Sequence, residues 1–70
     1  MFRVKVNILD MLKAIGYTSY TIRRDKIFGE ATMQKFRTGG IPSWNELDKL
    51  CSMLQCQPWD IIEHVQDKED

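Results

Sequence analysis

The sequence predicts an all-α domain of five short helices, with short strands near its two ends. Three observations carry that expectation. Apolar residues recur at helical spacing in separate stretches, as in Leu47, Leu50, Cys51 and Leu54. Capping residues stand before such stretches and glycines after them, as with Ser43 and Gly16. Alternation with a period of two is confined to Phe2, Val4 and Val6, which flank Arg3 and Lys5.

The alternating stretch at 2–6 reads as a short strand with one face covered. A strand needs a partner, and the segment 63–66 around Val65 is the best candidate within the chain. Asn7 is a good N-cap, and Asp10 suits the positive end of a first helix. Ile8, Leu12 and Ile15 share one face, and Gly16 ends that helix. Thr18 caps a second helix running to about Lys26. A third starts near Gly29, buries Met33 and Phe36, and stops before Gly39-Gly40. Pro42 precedes the fourth, where Ser43 and Glu46 form an S-x-x-E capping box. Pro58 suits the first turn of a fifth, with Trp59, Ile61 and Ile62. Trp44 and Trp59 are read as edges of the core. The run 67–70 is a charged tail.

Seventy residues bound the chain to one domain, 1–70, with a single core. A chain of this size buries only about 60% of its unfolded surface. No apolar run approaches the roughly 20 residues of a membrane span. The first residues lack a signal-peptide layout, so a cytoplasmic location is expected. Cys51, Cys56 and His64 are too few to close a four-ligand zinc site, and inert thiols are the simpler reading. No nucleophile–base pair and no phosphate loop point to an enzyme, and no cofactor is expected.

Net charge is zero, yet the charges are unevenly placed. Residues 1–45 carry eight Lys/Arg against three acids, net +5, and residues 46–70 carry net −5. That polarity suits an oriented approach to a polyanion. The segment 18–39, TSYTIRRDKIFGEATMQKFRTG, sits in the basic part. It reads as two short helices, a tight turn and a closing glycine pair. That layout is a helix-turn-helix, whose second helix can enter the DNA major groove.

These residues resemble the helix-turn-helix domain of phage Cro and repressor proteins, the XRE type. The resemblance spans about Asn7 to His64. It rests on Gly16 before Tyr17 to Ile22, on Phe28, on the Met33/Phe36 pair, and on Arg37-Thr38-Gly39. Pro42-Ser43 through Leu54-Gln55-Cys56-Gln57-Pro58 resembles the family's fourth helix and the turn after it. The resemblance implies a five-helix lambda-repressor-like (Cro/C1-type) fold and a sequence-specific, repressor-like transcriptional regulator. It implies double-stranded DNA as partner and a homodimer, with no membrane and no small-molecule ligand. The seam would use 2–6, the Val65 region or Trp59. Ser19 would begin the helix that crosses the backbone. Glu30, Ala31, Thr32, Gln34 and Lys35 would face DNA, with Arg37 and Thr38 near the phosphates.

Four departures from the family pattern stand out. Arg23 stands where a small residue packs between the two helices, and its head must reach solvent. Ile27 stands at the turn in place of glycine. Glu30 puts a carboxylate at the mouth of the groove. Leu12 and Arg37 replace a pairing between the first and third helices. Glu30 and the zero net charge favour an alternative, a protein-interaction module on the same fold.

Overall fold

Local capping divides the chain into its elements, and a computed structural model describes residues 1–66. The charged tail at 67–70 lies outside the described residues. The order is β1 (Phe2–Val4), α1 (Ile8–Ala14), α2 (Ser19–Arg24), α3 (Glu30–Arg37), α4 (Trp44–Leu54), a 3-10 turn (Pro58–Asp60) and β2 (Ile62–His64). Asn7, Thr18 and Ser43 each accept a backbone N–H three residues on, at 3.1, 3.2 and 3.2 Å. Glu46 completes its capping box by accepting from Ser43 N at 2.8 Å.

The helices stop by one device. After α1, Tyr17 N–H donates to Leu12 O and Gly16 N–H to Lys13 O, with Gly16 left-handed. After α3, Gly40 and Gly39 repeat that pair of bonds onto Lys35 and Phe36. After α2 the same bonds join Ile27 to Ile22 and Lys26 to Arg23, so the left-handed residue is Lys26, at φ 54°. The strained position of the turn is therefore Lys26 and not Ile27, which the departure from glycine had suggested. Left-handed backbone costs a residue with a Cβ about 1 kcal/mol. Lys26→Gly is expected to raise stability by roughly 0.5–1 kcal/mol, read from the urea midpoint. A lower midpoint would refute that account of the turn.

One core joins the elements. Ile8 and Leu12 of α1, Ile22 of α2, Phe28 of the turn, Met33 and Phe36 of α3, Leu47 and Leu50 of α4, and Ile61 are buried together. Phe28 and Phe36 meet edge to face with centroids 5.2 Å apart. Ile15 departs from the expected face and is 47% exposed. Helix α1 ends at Ala14, and Ile15 is already the cap, so helical spacing no longer aims it inward.

The expected fifth helix is a three-residue 3-10 turn, leaving four α-helices among the described residues. The reason is the chain's immediate use in a sheet. Ile61 N–H closes the turn onto Pro58 O, while Ile61 O accepts from Lys5 N at 2.9 Å. β2 then pairs antiparallel with β1, with Phe2 opposite His64, Arg3 opposite Glu63 and Val4 opposite Ile62. The strand pairing expected between the chain's two ends is present, one residue earlier than 63–66. Arg3 Nε and Glu63 Oε2 lie 2.7 Å apart on one face of this sheet. His64 packs edge-on against Phe2, with ring centroids 5.1 Å apart. Trp44 and Trp59 are 78% and 66% exposed, well outside the core they were expected to edge.

Candidate nucleic-acid interface

Helix α3 is placed by its inward pair. Met33 and Phe36 are buried, so residues about half a turn away face outward. That outer stripe is Ala31, Gln34 and Thr38, all exposed. Gln34 Oε1 accepts from Arg37 Nη1 at 3.2 Å, and the amide nitrogen keeps both its donors. The Thr38 hydroxyl donates to the carbonyls of Gln34 and Lys35 at 3.2 and 3.1 Å, closing the end of α3. Ser19 is exposed as the first residue of α2.

Charges on this face are largely paired within the molecule. Arg23 of α2 reaches solvent and holds Glu30 of α3, with Nε 2.5 Å from Oε1. The pair spans the turn, and Glu30 also suits the positive end of α3. An exposed pair of this kind adds at most about 1 kcal/mol. Arg24 is bonded to Asp25 at 3.1 and 3.2 Å and lies over the Tyr20 ring at 5.8 Å. The hydrogen bond from Arg24 holds the Asp25 carboxyl below its usual range. On α2, the turn and α3, Lys26 and Arg37 are the cations without an acidic partner among the described residues.

Thr32 and Lys35 lie on the flank of α3 that faces α4. Thr32 Oγ1 donates to Glu46 Oε2 at 2.8 Å, and Lys35 Nζ donates to Glu46 Oε1 at 2.6 Å. Of the eight residues expected at DNA, these two have their polar atoms engaged on α4. Burial alone would raise the Glu46 carboxyl. Hydrogen bonds from Lys35, the Ser43 N–H and Thr32 outweigh it and bring the carboxyl down to about 2.

A second tie runs from α4 to the turn. Lys49 Nζ donates to Ile27 O at 2.7 Å and lies 5.3 Å from the centre of the Phe28 ring. Helix α4 therefore holds the turn through Lys49 and the flank of α3 through Glu46. Sequence reasoning assigned Glu46 only its capping role and gave Lys49 none. Neither tie has a local signal, because the partners lie between 11 and 22 residues away.

Cys51 and Cys56 are free and half-buried. Burial, with Cys51 beside it, pushes the Cys56 thiol up, so it stays protonated and unreactive at neutral pH. Among the described residues, no group of His, Cys, Asp and Glu is placed to hold a metal ion. Among the same residues, no helix is long and apolar enough to cross a membrane.

This arrangement, with a short α2, a capped turn and α3 bearing a polar outer stripe, matches the family profile of the Cro/C1-type HTH DNA-binding domain over residues 7–67. The chain belongs to that family. No curated protein and no solved structure matches it closely enough to stand beside that profile. The matched segment contains α1 to α4, with α4 tied to the flank of α3 through Glu46 and to the turn through Lys49. The match begins at Asn7, the cap of α1, so β1 precedes the matched segment.

Proposed function

We propose that this protein is a sequence-specific transcriptional regulator that acts as a repressor, with α3 in the DNA major groove. The outer stripe of α3 carries that reading, because Ala31, Gln34 and Thr38 are short and exposed. Gln34 suits adenine, which offers an acceptor at N7 and a donor at N6. Arg37 fixes the Gln34 oxygen and leaves its amide group to reach the base edge. Ala31 can touch a thymine methyl. Ser19, Arg37 and Thr38 stand at the phosphates, and Glu30 at the groove's mouth accepts from cytosine N4 when Arg23 shares it. Thr32 and Lys35, engaged on Glu46, stand back on the flank.

One helix spans few base pairs, so we propose a homodimer on half-sites about 34 Å apart. The seam proposed is an apolar groove of about 230 Å³ lined by Phe2, Ile41, Pro42, Trp44, Leu47 and Ile62. Exposed Trp44 and Phe2 at its rim give a second copy large apolar surface to cover.

Selection from a random duplex pool tests both statements. The expected product is a palindrome with half-sites one helical turn apart, and Gln34→Ala should lose about 1–3 kcal/mol of discrimination at one base pair in each. An empty selection at low salt would replace this reading with the protein-interaction module. The internal pairing of Arg23, Arg24 and Lys35 is the observation that favours that second reading.

A further inference from the structure

We propose that Glu46 is a positioning residue that withholds the Lys35 ammonium from DNA and so sets how strongly the protein binds duplex of any sequence. The inference rests on the DNA-binding reading above. It begins from an oddity of placement. Lys35 is a long cation on the recognition helix, yet its side chain is only 34% exposed and its Glu46 partner 19%. Exposed lysines normally extend into water and serve as mobile phosphate binders.

Three features hold Lys35 in place. Glu46 accepts from Nζ at 2.6 Å. Glu46 is itself fixed by the Ser43 N–H and the Thr32 hydroxyl, each at 2.8 Å. The third feature is Gly40. A methyl group there would stand 2.5 Å from Lys35 Cγ, 3.3 Å from Lys35 O and 3.4 Å from Lys35 Cδ. The lysine stem thus lies over a glycine that leaves room for it, and it runs toward α4. Gly40 keeps its φ outside the left-handed region, so space and not backbone freedom is what its lack of a side chain supplies here.

The consequence follows from the two kinds of DNA contact. A free lysine binds phosphate on any sequence, which strengthens random and operator binding alike. Holding it on Glu46 leaves the helix to Ala31 and Gln34, whose contacts depend on bases. Glu46 therefore lowers the affinity for duplex of any sequence. Its carboxylate also neutralises Lys35 internally, which lowers the number of counterions released on binding.

Two measurements test this on the full chain. Acetylation of lysines followed by mass spectrometry reads Lys35 directly. Lys35 should react more slowly than Lys26 in the native protein, and as fast as Lys26 in Glu46→Gln and in Gly40→Ala. Gln keeps the capping box, so E46Q retains the start of α4. Duplex binding across a salt series reads the consequence. For a random-sequence duplex, E46Q should bind about tenfold tighter at about 50 mM salt, with a slope steeper by about 0.9 per protomer. Operator duplex should gain by the same factor, and Lys35→Met in the E46Q background should return affinity and slope to those of the native protein. Lys35 labelled as fast as Lys26 in the native protein overturns the withholding. Protected Lys35 with unchanged salt slopes in E46Q, while the native protein binds duplex, overturns the role in DNA affinity. If neither protein binds any duplex at low salt, the DNA-binding reading fails and this inference falls with it.

Discussion

Met33→Ala is expected to destabilise the protein by about 2–5 kcal/mol, seen as a large fall in the urea midpoint. Met33 is completely buried and is the inward anchor of α3. Its removal leaves a cavity between α3 and the rest of the core, which a structure this small has little slack to fill. The loss rivals the whole stability expected for 70 residues, about 4–10 kcal/mol. Met33→Leu keeps the volume and should cost less than about 1.5 kcal/mol. Equal losses for the two variants would place the cost in the thioether and not in the cavity. DNA binding by Met33→Ala should vanish only where its circular dichroism reports unfolding.

The second large effect is acid sensitivity through Glu46. Its folded carboxyl sits at about 2, against an ordinary value of 4.5 for a glutamate. A depressed folded value means the stabilisation is fully present above the unfolded value. It is lost as pH falls from about 4.5 through about 2. After discounting for partial exposure, the contribution is on the order of 2 kcal/mol. Urea midpoints measured from about pH 6 to about pH 2 should fall more steeply in the native protein than in Glu46→Gln. Parallel curves would assign the acid loss to other carboxylates.

These effects differ in how visible they were beforehand. Met33 is legible because three-residue spacing to Phe36 and the glycines behind it fix the inward face of α3 locally. Asn7, Thr18 and Ser43 are legible for the same reason, since a cap and its N–H lie three residues apart. Lys26 is not, because nothing in a lysine announces left-handed backbone; the paired bonds that end α2 impose it. The fifth helix failed because Pro58 signals a start, while its length was decided by Lys5, more than fifty residues earlier. The outer stripe of α3 follows from the buried pair. The flank does not, because the Glu46 that engages Thr32 and Lys35 belongs to another helix. Charge counting likewise saw a basic half but not that Arg23, Arg24 and Lys35 each find an acid.

The two ties from α4, Lys49 to Ile27 and Glu46 to the flank of α3, bear on what binding would cost. A recognition element that folds on contact must surrender conformational entropy at that moment. Here the turn and the helix are moored at both ends before any partner arrives. Encounter then resembles a key meeting a lock already cut. Little of the contact energy is diverted into ordering the chain, so a small contact surface can suffice.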